Sequence, residues 1–264
     1  MSCNNSPHPI DPAEVRALHR AGLDAPTACW TPSHARAHLV AVPVSWAHDL
    51  SLYCAQNRHA LPVLDIGAAG GWTTRLAAGA DLRTDLARYR VWRDGELVDE
   101  PPQVTDHWLD DLVAFLLGRP VALDADLAAA GVPLRHVEQG QPVPQYVTNR
   151  SCRPAGRLNG PLVVAMRPVP APLVAATRTA RGAWPLAPVG PLHTGDPEAL
   201  GIRALSCPDF GGRVRPAPGD VPVFWASGVT AQAALMSARP PFAITEAPGH
   251  PLITDLPSGP PLAA

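Results

Sequence analysis

The segment from Val221 to Asp255 places the tightest limit on the fold, because it reads in order as strand, tight turn, helix, strand and loop. Val221-Pro222-Val223-Phe224-Trp225 is a short apolar run rich in β-formers, and Ala226-Ser227-Gly228 breaks it. Thr230 is placed to cap a helix, Ala231 to Ala238 consists of strong helix formers, Pro240 and Pro241 stop it, and Phe242 to Thr245 resumes a strand. A strand–helix–strand unit crosses right-handed into a parallel sheet and ends both strands on one edge. Ser227-Gly228-Val229-Thr230 is then delivered beside Glu246-Ala247-Pro248-Gly249-His250, and a site is expected there. The helix start at Gly228 to Thr230 suits a carboxylate or a developing oxyanion. The plainer reading is a buried strand with a structural turn after it.

The rest of the chain predicts an α/β protein: a mixed or mostly parallel sheet flanked by helices, with a smaller α+β portion in the middle. Asp11-Pro12 opens an amphipathic helix, and Thr31-Pro32 opens a shorter one that would put His34 and His38 on one face. Leu39 to Val44 and Leu61 to Ile66 read as buried strands around a helix begun at Ser45. Two short strands flank the turn Asp94-Gly95, and His107 to Leu117 reads as an amphipathic helix. A small helix over Asp124 to Ala130, strands at Leu134 to Val137 and Leu162 to Met166, and a short helix begun at Asp196-Pro197 complete the series, with Leu256 to Ala264 as a loose end. One catalytic unit over residues 1–264 is expected, with an α+β subdomain at about 86–160 inserted in it.

Chemistry is narrowed by an absence: all 21 basic side chains are arginine, so no Schiff base can form on a lysine and no phosphate loop of the G-x-x-x-x-G-K type exists. Anions fall to arginine, which grips a carboxylate bidentately. A net charge of −2 gives no footprint for nucleic acid or anionic membrane, and no apolar run is long enough to span a bilayer. Met1 to Ser6 carries neither a basic nor an apolar region, so a cytoplasmic location is expected. The five cysteines are odd in number and far apart, which argues against a disulfide framework or a zinc finger.

Polar clusters beside apolar strands are the candidate chemistry: Arg83-Thr84-Asp85, Arg135-His136-Val137-Glu138, Tyr146-Val147-Thr148-Asn149 and His193-Thr194-Gly195-Asp196-Pro197. On an extended strand His136 and Glu138 share a face, which makes them the natural base and orienter. The competing reading of any one cluster is an edge strand with a solvated ion pair. The run Val63-Leu64-Asp65-Ile66-Gly67-Ala68-Ala69-Gly70-Gly71 resembles the first motif of S-adenosylmethionine-dependent methyltransferases. The stretch after it is too short for the helix such a site needs and leads to a hairpin.

Through these clusters the chain resembles the bacterial hydro-lyases that share their domain with the D-glutamate cyclases. Gly79-Ala80-Asp81-Leu82-Arg83-Thr84-Asp85, Asp111-Leu112-Val113-Ala114-Phe115, Arg135-His136 with Glu138, Thr148-Asn149, Met166-Arg167-Pro168, Gly195-Asp196-Pro197, Gly228-Val229-Thr230 and Ala247-Pro248-Gly249-His250 with Asp255 stand in the family's order, almost end to end. The family pattern has Cys at Ser227, His at Glu246, Met at Pro251, Asn at Pro142, Met at Gln145 and a Cys-Ser turn at Arg119-Pro120, so this is a divergent member.

The resemblance implies a lyase that eliminates water from a small amino or hydroxy acid, with closure of a lactam as in the D-glutamate cyclases. The substrate carboxylate would be held by Arg167 or Arg135. His136, oriented by Glu138, would be the base, and His193 or His250, held by Asp196 or Asp255, the acid. Tyr146, Asn149, Ser227, Gly228 and Thr230 would complete the substrate site. A small carboxylate is the expected ligand. No cofactor is expected, a divalent metal is left open, and a homo-oligomer is compatible with the sequence. The alternatives are a small-acid binding protein in which the Ser227 and Glu246 changes have removed catalysis, and the methyltransferase.

Overall fold

The computed structural model describes residues 11–25, 27, 31, 34–118, 123–177 and 190–257. Helix α1 (Pro12–Arg20) starts as expected, with the Asp11 carboxylate accepting the Ala13 N–H at 2.7 Å. Strand β1 (His34–Pro43) feeds α2 (Val44–Gln56), which buries Trp46, Leu50 and Tyr53. Then come β2 (Val63–Ile66), β3 (Tyr89–Arg93), β4 (Glu96–Asp99) and β5 (Leu112–Leu117). They are followed by α3 (Leu123–Ala129), α4 (Arg135–Glu138), β6 (Gln145–Ser151), β7 (Pro161–Pro170) and α5 (Val174–Thr177). The chain continues through β8 (His193–Thr194), β9 (Asp220–Ala226), α6 (Thr230–Ala238), β10 (Ala243–Glu246) and β11 (Leu252–Pro257). Cys3, Cys29, the Arg119-Pro120 turn and the tail beyond Pro257 lie outside the described residues. So does Pro32 of the expected second helix.

The expected mostly parallel α/β sheet is overturned: every strand pair among the described residues is antiparallel. One sheet runs β2-β5-β1-β10-β3-β4, with β11 also pairing β1, and a four-stranded sheet runs β6-β7-β9-β8. The error lay in the crossing. β9 pairs with β7 and β8, while β10 pairs with β1 and β3, so α6 carries the chain from one sheet to the other. A helix laid on one face of a parallel sheet is amphipathic, whereas Thr230 to Leu235 are all buried, as a helix wedged between layers must be. Of the segment 86–160, β3, β4 and β5 join the first sheet and β6 the second.

Two local expectations fail for periodicity reasons. His107 to Leu117 is not a helix; its second half is β5, whose six residues are all buried between β1 and β2, and a strand covered on both faces shows no alternation. Leu134 to Val137 is not a strand but leads into the helical turn α4, where Arg135 meets Glu138 at 3.1 Å across i,i+3. The hairpin at Asp94-Gly95 is as expected, both residues having positive φ of 48° and 77°. The glycine-rich decoy resolves too. Gly67 and Gly70 donate their N–H groups to the Ala114 and Leu112 carbonyls, both at 2.8 Å, so these backbone donors hold a sheet edge and are not free for a bound S-adenosylmethionine.

The largest apolar cluster lies between the sheets: Val40 and Val42 from β1 and Phe115 from β5 meet Val164, Met166 and Phe224 of the second sheet, with α2 and α6 closing the sides. Removing one such aromatic ring costs about 3–5 kcal/mol. On the far face of the first sheet, Leu39, Ala41, Leu116 and Ile244 pack under Leu76, Leu82 and Leu86.

Candidate active site

A cleft of about 220 Å³ opens where the two sheets meet, lined by His34, Arg36 and His38 from β1 and by Gln145, Arg167, Trp225, Ser227 and Gly228 from the second sheet and the turn after it. Asp124 of α3 and the loop residues Gly249 and Pro251 complete the wall. The residues of β1 reach it by strand alternation. His34, Arg36 and His38 share one face, while Ala35, Ala37 and Leu39 are buried on the other.

Two ion-pair systems face the cleft. In the first, His38 Nδ1 is 2.7 Å from Glu246 Oε1, and Glu246 Oε2 accepts the Leu39 N–H at 2.8 Å. Glu246 is buried and ends β10 one residue past the paired positions Val40 and Thr245, so its side chain takes over where the backbone ladder stops. Both of its oxygens are occupied by β1. Gly228 closes over the imidazole: a Cβ there would stand 2.3 Å from His38 Cδ2. In the second system Arg167 Nε donates to Asp124 Oδ1 at 2.5 Å, and the guanidinium lies 5.6 Å from the Trp225 ring. Burial would raise the Asp124 carboxyl, but the Arg167 charge and the neighbouring His136 overcome it and hold the group far below the ordinary carboxylate range.

Among the residues expected from sequence, Arg167, Ser227 and Gly228 line the cleft. His136 lies buried behind it, Nε2 3.3 Å from Asp124 Oδ2. Its expected orienter is elsewhere, because Glu138 pairs with Arg135, which also binds Asp220 at 2.9 Å. Tyr146 is in the core with its hydroxyl donating to the Leu205 carbonyl, Asn149 is exposed, and Thr230 is tied to β7 through Val163. His193 Nε2 donates to the Asp196 carbonyl at 2.6 Å, while the Asp196 carboxylate caps Glu198. Asp255 is held by Arg16 and the Ala78 N–H, both at 2.7 Å, and not by His250. His250 hydrogen-bonds the Pro248 carbonyl, and burial lowers its pKa.

The expected meeting of the 227–230 turn with the 246–250 segment does occur, by the antiparallel route. His38 touches both, and Gln232 of α6 donates to the Glu246 carbonyl at 2.9 Å. The turn's donors are largely consumed internally: the N–H groups of Ser227, Val229 and Thr230 go to Val163 O, Ser227 Oγ and Ser227 O. The Ser227 hydroxyl in turn donates to the Gln145 carboxamide. Sequence reasoning missed His38, Arg36 and Asp124, and placed Glu246 at the expected site edge and among the departures without giving it a role. The alternation in His34-Ala35-Arg36-Ala37-His38-Leu39 was the available signal. Among the described residues, no group of three or more His, Cys, Asp or Glu is arranged to hold a metal ion. None of the described helices is long and apolar enough to cross a membrane.

The chain has relatives among known proteins. The D-glutamate cyclase family model matches residues 113–255. A Streptomyces coelicolor protein is 57% identical over 248 residues, covering 94% of this chain and 90% of its own length. One from Rhodococcus opacus is 54% identical over 249 residues, covering 94% and 95%, and one from Agrobacterium fabrum 51% identical over 246 residues, covering 92% and 91%. All three carry the name "Putative hydro-lyase". The chain therefore belongs to the D-glutamate cyclase family, and it is an enzyme of the lyase class.

Proposed function

We propose that the cleft eliminates water from a small amino or hydroxy acid, with His38 as the base, Glu246 as its orienter and the arginines of the cleft holding a carboxylate. The observation that carries this reading is the His38–Glu246 pair, at 2.7 Å, in a cleft also lined by Arg36 and Arg167. Glu246 accepts the Nδ1–H, which leaves the Nε2 lone pair for substrate. For lactam closure of a D-glutamate-like acid, Nε2 takes a proton from the ammonium group and the freed amine attacks the side-chain carboxyl carbon. A C–N bond forms, the second proton lost by the nitrogen passes to a carboxylate oxygen, that C–O bond breaks, and the proton held on His38 leaves with the hydroxide as water. A hydroxy acid would use the same groups, with Nε2 removing a carbon-bound proton instead.

Arg167 supports carboxylate recognition through its planar guanidinium, and Arg36 places a second cation on the opposite wall. Holding amine and carboxyl in reacting geometry supplies several kcal/mol, on the order of 7 or more for a well-aligned pair. The test is incubation with a panel of amino and hydroxy acids, D-glutamate included, followed by mass spectrometry for the loss of one water. Turnover that disappears in His38→Gln supports the reading. Turnover that persists in that variant removes His38 as the base.

A further inference from the structure

We infer that Asp124 and His136 are positioning residues for the Arg167 clamp, Asp124 fixing the guanidinium plane and the buried imidazole of His136 fixing Asp124 from behind. The inference rests on the proposed carboxylate-binding role of Arg167. Arg167 approaches Asp124 through Nε, the atom that sets the rotation of the guanidinium, and this leaves its Nη groups available to the cleft. The Asp124 Oδ2 atom is the one turned to His136 Nε2, at 3.3 Å. With one oxygen on Arg167 and the other on His136, Asp124 is placed to orient and not to exchange protons with substrate.

His136 itself is 1% exposed and does not line the cleft. Asp124 Oδ2 is the charged neighbour of its Nε2, and both ring nitrogens are buried without a hydrogen bond, so its contact with Asp124 is electrostatic. An orphaned buried nitrogen is unfavourable, and an apolar side chain of similar size would avoid it. The contact with Asp124 accounts for an imidazole at this position.

The experiment pairs kinetics with binding of succinate as a bare carboxylate probe, followed by thermal shift. For an acid that the wild type dehydrates, Asp124→Asn should raise KM about tenfold and leave kcat within about twofold, as loss of a charged clamp support implies. His136→Phe should move KM the same way by a smaller factor. The double variant Asp124→Asn/Arg167→Lys should be no worse than Arg167→Lys alone, because the two residues act as one unit. Should Asp124→Asn fail to fold, the wild-type Arg167 Nε–H resonance in 15N NMR, assigned by its loss in Arg167→Lys, should move on adding succinate. Additive losses in the double variant, an unchanged KM in Asp124→Asn, no succinate shift in the wild type, or an Nε–H resonance indifferent to succinate would each overturn the inference. Asp124-dependent succinate binding in a protein that dehydrates no acid would support the clamp and refute only the proposed reaction.

Discussion

Glu246 holds His38 by the ring nitrogen that faces away from the cleft, with Oε1 2.7 Å from Nδ1, and keeps its own place by accepting the next residue's N–H. A base oriented in this way loses its function when either partner changes. His38→Gln should lower kcat by about 10²–10⁴, the range general for acid–base catalysis, with little change in Tm because the side chain is partly exposed. Glu246→Gln keeps a hydrogen-bonding group but removes the charge, and should give a smaller loss, about tenfold or more. Comparing kcat with thermal stability for both variants checks the assignment; a His38→Gln protein with wild-type turnover would sink it.

Gly228 is needed for space and not for backbone freedom, since an added methyl would collide with the His38 ring at 2.3 Å. Gly228→Ala should therefore push the imidazole off Glu246 and cost nearly as much activity as His38→Gln. In the double variant the second change should add nothing. Multiplying losses would show that Gly228 acts through something other than His38.

Ser227 stands where the family pattern has cysteine, and its hydroxyl donates to the Gln145 carboxamide and accepts the Val229 N–H at 3.2 Å. Its partner is an amide, not a base, so nothing activates it as a nucleophile. Ser227→Ala is expected to keep activity within about threefold and to lose about 1 kcal/mol of stability in urea unfolding. A folded but inactive variant, or an acyl-serine trapped from wild type, would reverse the assignment.

Acid should weaken the fold through two histidines. His19 and His250 are held below their ordinary value of 6.5, burial being the main cause in both, and His19 also lies in the field of His250. A histidine with a depressed folded pKa contributes stability that is complete above the unfolded value and is lost as pH falls through the folded one. Unfolding free energy should accordingly drop as pH is lowered below about 6.5, and His250→Gln should flatten that drop. Asp24, lowered by its hydrogen bond to Arg88, adds its own loss only further down, below the carboxylate value of 3.8. Urea titrations from pH 8 to pH 5 measure the histidine part; an equal slope in His250→Gln would assign the effect elsewhere.

The elements around Asp11, Asp94-Gly95 and Ala231 to Ala238 could be read locally because caps, turns and helix formers act within a few residues. Strand partners could not. Nothing within Val221 to Thr245 says that β9 and β10 belong to different sheets, and only the all-round burial of Thr230 to Leu235 would have hinted at it. The site shared this fate. Arg167, Ser227 and Gly228 were named from type and place and line the cleft, and Gln145 and Glu246 were marked as departures before their contacts were known. His38 was assigned to a helix, however, and Asp124 was seen only as a helix start, because each gains its meaning from a partner more than 40 residues away, His38 from Glu246 and Asp124 from Arg167.

His38 and Arg167 stand on different sheets, β1 and β7, and the layer between those sheets includes Val40, Val42, Met166 and Phe224. These side chains serve as the stop of a caliper whose jaws are the base and the clamp. In the proposed reaction the length of acid that fits is thereby gauged by hydrocarbon that never meets it, and a change such as Phe224→Leu would reset the spacing of the jaws, and with it substrate length, without substituting any polar side chain of the cleft.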